Sequence, residues 1–141
     1  MRKLKVLAML ATAAALVVGC TAAAAPAPVP GGTVNATLTD MKIAVDRTSI
    51  SAGAITFVVK NSGVVAHELV VIQTDVAQDK LAVNTEEAGK MDETGNVGET
   101  GDVIAGASNT FTVTLPAGHY VLMCNEIGHY GMGMHMAFTV N

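Results

Sequence analysis

Three stretches of this chain alternate apolar and polar residues with a strict period of two: Val34, Ala36 and Leu38; Ile55, Phe57 and Val59; and Phe111, Val113 and Leu115. Successive side chains of a strand point to opposite faces, so each stretch predicts a half-buried strand. A helix, with a period of 3.6, would scatter the same residues around its circumference. Turn compositions separate the stretches at Ser51-Ala52-Gly53, Asn61-Ser62-Gly63 and Pro116-Ala117-Gly118. Leu69 to Ile72 is apolar on both faces, as a central strand would be. Short strands with regular turns predict an all-β, Greek-key β-sandwich. One segment breaks the pattern. Asp75 to Gly106 is acidic and rich in Gly and Asn, and is expected to be a long inter-strand excursion, partly helical, with a helical stretch from Val76 to Lys90.

Ahead of this domain, Met1 to Lys5 is basic and is followed by an apolar run to Gly19. That is the profile of a secretory signal, and it is shorter than the roughly 20 apolar residues of a membrane span. Leu16-Val17-Val18-Gly19-Cys20 is similar to the lipobox of bacterial lipoproteins, where cleavage leaves an acylated cysteine at the new N-terminus. Residues 1–19 are therefore expected to be a lipoprotein signal peptide. Cys20 would be the lipidation site, and residues 20–32 an Ala/Pro/Gly tether in which Pro26, Pro28 and Pro30 favour an extended chain. The resemblance to lipoproteins implies export to a periplasmic or other extracytoplasmic space, with a lipid anchor in a membrane. Thr21 after the cysteine implies an outer membrane where there is one. The folded domain is then 33–141, a size suited to one core, and a monomer is the expected state.

Loss of residues 1–19 removes Arg2, Lys3 and Lys5, leaving five basic residues against twelve acidic ones and a net charge of −7. An acidic surface with scattered Lys and Arg argues against nucleic acid as a partner. It also leaves Cys124 as the lone thiol of an exported domain once Cys20 carries lipid. A free thiol in an oxidising compartment needs a use, and metal ligation is a common one.

The segment from Gly118 to Met134 supplies that use. A strand ends at Cys124, a glycine-containing loop follows, and His129 and Met134 come five and ten residues later. Thiolate, imidazole and thioether form a soft donor set that suits copper, whereas zinc usually takes four strong tetrahedral ligands and has no use for a thioether. A second imidazole is required. His67 shares parity with Leu69 and Val71 and can point inward at the end of the sandwich. Taken alone it would read as a hydrogen-bonded edge histidine; beside the Cys/His/Met loop it reads as a ligand. Met134 shares parity with Met136, Phe138 and Val140 and should face inward. Met132 lies between glycines in the loop, Met136 reads as core, and His135 and His119 are expected at the surface.

The patterns G-x-Y-x-aromatic-x-C and C-x4-H-x4-M, carried here by Gly118, Tyr120, Cys124, His129 and Met134, resemble those of the cupredoxins, the small type I blue copper proteins. Leu122 stands where an aromatic is usual. The resemblance covers Thr33 to Asn141. It implies one copper ion cycling between Cu(II) and Cu(I), with His67, Cys124 and His129 in a trigonal plane and Met134 axial. It also implies single-electron transfer with redox partner proteins that dock near His129. One departure concerns the residue after the first histidine. Many cupredoxins carry an asparagine there that braces the two ligand loops; this chain has Glu68.

A rival reading is a copper-handling module, a chaperone, store or resistance protein, that holds Cu(I) at a surface cluster of Met132, Met134, His135 and Met136. A dinuclear copper site is excluded because Gly128 occupies the place of the second cysteine. No His-x-His pair of a multicopper oxidase or nitrite reductase occurs, so no enzymatic turnover is expected.

Overall fold

A computed structural model describes residues 31–141. The signal, Cys20 and most of the tether lie outside the described residues. Among the described residues nine strands form two sheets: β1 (Gly32–Thr39), β2 (Lys42–Val45), β3 (Ser49–Ile50), β4 (Gly53–Asn61), β5 (Val70–Gln73), β6 (Asn96–Glu99), β7 (Ser108–Leu115), β8 (Gly118–Met123) and β9 (His135–Val140). The first sheet runs β2-β1-β4-β7 and the second β3-β9-β8-β5-β6.

Register follows from the alternation. β1 pairs in parallel with β4, placing Val34 beside Phe57 and Ala36 beside Val59, so the buried rows of both strands share one face. β7 pairs antiparallel with β4 and sets Phe111 against Phe57, their rings stacked with centroids 5.1 Å apart. On the opposite face of the same two strands, the hydroxyls of Thr56 and Thr112 meet at 2.8 Å. The second sheet closes over the apolar face of Val34, Phe57 and Val59 with Leu69, Val71, Tyr120, Leu122 and Phe138. The domain is the all-β sandwich that the alternation predicts.

The double-sided apolar character of Leu69 to Ile72 has a specific cause. Leu69 and Val71 face the inter-sheet core. Val70 and Ile72 face the other way, into a second cluster with Val121, Met123, Met91 and Tyr130, against which Leu81 packs. Met91 and Leu81 come from the excursion, which therefore covers the outer face of the second sheet.

That excursion is not helical, contrary to expectation. Among the described residues the only helical element is a single 3-10 turn, Tyr130–Met132. From Asp75 to Gly95 the chain runs in turns and bends with one isolated bridge, Val83 to Met91, and then supplies edge strand β6. Local capture of backbone amides explains the difference. The Asn84 side chain accepts from the N–H groups of Glu86 and Glu87, Asp92 from Thr94, and Thr74 from Val76. Each such bond gives the backbone an alternative to the helical ladder. Gly89, at φ 87°, leaves the right-handed region outright. No helix among the described residues is long and apolar enough to cross a membrane.

Candidate metal centre

Two segments converge at one end of the sandwich. The first is the connection from β4 to β5. Asn61, fully buried at the end of β4, donates through its amide to the carbonyls of Val65 (2.8 Å) and Val103 (2.7 Å) and accepts from the Gly63 N–H (2.8 Å). These bonds shape the loop that delivers His67. Its backbone then exchanges hydrogen bonds with Val103, at 3.2 and 2.7 Å. Parity with Leu69 holds, and the His67 ring is wholly inside.

The second segment is the turn from β8 to β9. The Cys124 N–H donates to the Met134 carbonyl (3.0 Å) and the Met134 N–H to the His129 carbonyl (3.1 Å). The loop thus closes on itself and carries Cys124, His129 and Met134 as one unit. Gly128 and Gly133 permit the closure, with φ of 81° and 99° that a side chain would resist.

The three strong donors meet. Cys124 Sγ lies 3.3 Å from His129 Nδ1 and 3.9 Å from His67 Nδ1, and the two imidazole nitrogens are 3.2 Å apart. Donors in a trigonal plane about 2.0–2.3 Å from one ion are separated by roughly 3.5 Å, so the group fits a single metal ion without rearrangement. Cys124 is fully buried and unpaired in any disulfide. Met134 is likewise completely buried, and its backbone is bonded to both neighbouring candidates.

The electrostatics suit a cation. Burial pushes the Cys124 thiol up to about 11, against the opposing pull of the backbone N–H groups of Glu68 and Glu126. Burial, with His67 alongside, holds His129 below the ordinary histidine range, which keeps its imidazole neutral and available at pH 7. Two imidazole nitrogens and a buried sulfur converging at these distances form a set that a soft cation satisfies.

Glu68 takes over the brace expected of an asparagine. Its backbone N–H points at Cys124 Sγ (3.4 Å), and its carboxylate accepts the Asn125 N–H (3.1 Å), so the two segments are tied across the site. Burial first, and then Glu93, Glu126 and Glu99, push the Glu68 carboxyl up to about 7. Asn125, also buried, bonds both ways to the Met91 backbone (2.7 and 3.1 Å) and to Glu93 (2.8 Å). The excursion is thereby fastened to the site.

Among the other histidines and methionines, Met132 is exposed and Met136 is half-buried against the inter-sheet core. His119 is at the surface beside Asp75, as expected. His135 is not: its ring lies 4.5 Å from that of Tyr130 and is half-buried. Tyr130 itself turns into the second core, where its hydroxyl donates to the Gln78 carbonyl and accepts the Leu81 N–H. Sequence reasoning missed Asp40, whose carboxylate reaches His67 Nε2 at 3.1 Å from the β1–β2 turn. No motif marks it; only the tertiary meeting of the turn with the β4–β5 loop does.

Similar folds occur in several solved structures. Reduced auracyanin from Roseiflexus castenholzii matches with 25% identity and a TM-score of 0.60, over 79% of this chain and 97% of that one. Auracyanin A from Chloroflexus aurantiacus, described as a "blue" copper protein, is 22% identical with a TM-score of 0.56, over 78% and 100%. Rusticyanin from Thiobacillus ferrooxidans is 18% identical with a TM-score of 0.61, over 80% and 79%. At these lower identities the last two show the fold alone. No curated protein matches the sequence. The family model of the copper binding proteins, plastocyanin/azurin family, matches residues 31–141. With a buried Cys/His/His group of metal-binding geometry inside that match, the chain belongs to the plastocyanin/azurin family of copper binding proteins, the cupredoxins, and takes one copper ion.

Proposed function

We propose that the protein is a type I copper electron carrier of the cell envelope, in which His67, Cys124, His129 and Met134 would hold the copper ion. The observation that carries this reading is the approach of three soft and borderline donors from two distant segments to within 3.2–3.9 Å of one another, in a site closed to solvent at the sulfur. Bound copper supplies a reversible one-electron couple, Cu(II) gaining an electron to become Cu(I). The chain's part is to keep the ligands still while that charge changes. Asn61 fixes the approach of His67, Glu68 ties the two segments, and the Cys124–Met134–His129 backbone bonds lock the loop. Preorganisation of this kind lowers the rearrangement that accompanies each transfer, and the N–H on the sulfur together with its burial tunes the potential.

His129 is the route we propose for electrons. It is half-buried, and next to it in the same loop Ile127 (68% exposed) and Met132 (56%) present apolar groups to solvent. Such a rim favours a small, transient interface with a redox partner protein. Export and anchoring through Cys20 rest on the sequence alone.

The copper-handling alternative finds less support. A surface Cu(I) cluster needs its thioethers together at the surface. Here Met134 is fully buried, Met132 is exposed and the His135 ring lies tilted against that of Tyr130.

Titration of the metal-free protein with Cu(II) tests the proposal. One equivalent should produce an intense visible sulfur-to-copper band that bleaches and returns with a one-electron reductant and oxidant. Cys124→Ser should abolish it. A colourless product, or a band that survives the substitution, would overturn the assignment.

A further inference from the structure

Asp40 is not part of any sequence pattern, yet its placement is exacting. It sits in the turn between β1 and β2, next to Met41, which holds a positive φ of 64°. In a non-glycine residue this conformation is uncommon. The carboxylate accepts the Val64 N–H through both oxygens, at 3.1 and 3.3 Å. Oδ1 also faces His67 Nε2 at 3.1 Å. Packing around the pair is tight: a Cβ at Gly63 would press on Asp40 Oδ1 and lie 2.9 Å from His67 Nε2. The His67 ring is wholly buried, whereas the Asp40 side chain is 41% exposed. A buried imidazole is thus held by a carboxylate anchored outside the core.

We propose that Asp40 is a positioning residue for the copper site: it receives the Nε2–H of His67, fixes that tautomer, aims the Nδ1 lone pair at Cys124 and His129, and lends the site negative charge. The inference rests on the proposed ligand set. Its physical basis is geometric. Imidazole can donate from only one nitrogen when neutral, and His67 Nδ1 already faces Cys124 Sγ and His129 Nδ1 at 3.9 and 3.2 Å. With Nε2–H directed at the carboxylate, Nδ1 is left as an acceptor toward the metal. Asp40 is ionised at neutral pH, its carboxyl held below the ordinary range chiefly by the Val64 N–H. A carboxylate behind a ligating histidine raises ligand basicity and stabilises the more highly charged metal. Glu68 acts differently, through Asn125 and the sulfur rather than through an imidazole.

Asp40→Asn and Asp40→Ala separate orientation from charge, because the asparagine keeps a side-chain oxygen for the Nε2–H and removes the charge. In the metal-free protein, two-dimensional 15N NMR of the histidine rings should show His67 as the Nε2–H tautomer in the parent chain and in the asparagine variant, with the preference lost in the alanine variant. In the copper-loaded protein, removing charge should weaken Cu(II) about tenfold more than Cu(I). Both variants should then show a reduction potential raised by about 59 mV, the equivalent of a tenfold ratio for one electron. An Nδ1–H tautomer in the parent chain, or a potential unchanged in both variants, would overturn the role of Asp40. Absence of a visible copper band from the parent chain would instead strike at the ligand set, and the NMR measurement would still decide whether Asp40 holds the ring. Should the alanine variant fail to fold, the near-isosteric asparagine variant carries the potential measurement.

Discussion

At the residue scale, the metal centre owes its character to groups that are individually costly to bury. Cys124, His67 and Asn125 are all inside, and each is satisfied by partners from another segment, which is the condition for burying polar groups at all. Glu68 is the exception with consequences. Its carboxyl is raised to about 7 by burial and by Glu93, Glu126 and Glu99, against about 4.3 in an unfolded chain. The folded, metal-free protein therefore binds more protons than the unfolded chain between those values, and stability must fall as pH rises through that window. Glu126, raised by its own burial and by a hydrogen bond with Asp102, adds to the slope. Glu68→Gln should consequently flatten the decline between about pH 4.5 and 7, as measured by urea unfolding of the metal-free protein at each pH. Superimposable profiles for the two chains would refute this reading.

At the element scale, the long excursion acts as a cover for the second sheet. It places Met91 and Leu81 over Val70, Ile72, Val121 and Met123 and fastens itself to the ligand loop through Tyr130 and Asn125. Tyr130→Phe keeps the ring in the second core and its tilted contact with His135, and removes only the hydroxyl that serves Leu81 and Gln78. Two hydrogen bonds at a net ~0.5–1.5 kcal/mol each predict a loss of about 1–3 kcal/mol in unfolding free energy. The Leu81 amide should exchange with solvent markedly faster. Unchanged stability together with unchanged Leu81 exchange would show that the excursion is held by apolar contacts alone.

At the scale of the whole molecule, a buried thiol at about 11 means that the metal-free protein keeps its proton on sulfur throughout the neutral range. Binding must expel that proton, so apparent copper affinity should rise about tenfold per pH unit between pH 7 and 9. Competition against a chelator of known pH dependence measures it; a flat affinity would mean that Cys124 is not bound as thiolate. The same burial that raises the thiol also keeps water from the sulfur, so the cost in the metal-free state and the dryness of the loaded site have one origin.

Much of this was legible in the sequence because it is local. Alternation in β1, β4 and β7 needs only the period of a strand, and the Cys124/His129/Met134 spacing needs only a loop that closes on itself. The inward face of His67 followed from its parity with Leu69 and Val71. The excursion departs from the expected helix because nothing in a polar, Gly- and Asn-rich segment shows which amides its own Asn, Asp and Thr side chains will capture. Asp40 and the bracing of Glu68 onto Asn125 were invisible for a different reason. They join positions 27 and 57 residues apart in the chain, and such contacts exist only once two sheets have packed and brought their end loops together. Sequence alone thus determined the strands and the donor set; tertiary structure decided what holds the donors still, since long-range hydrogen bonds leave no periodic trace in the chain that makes them.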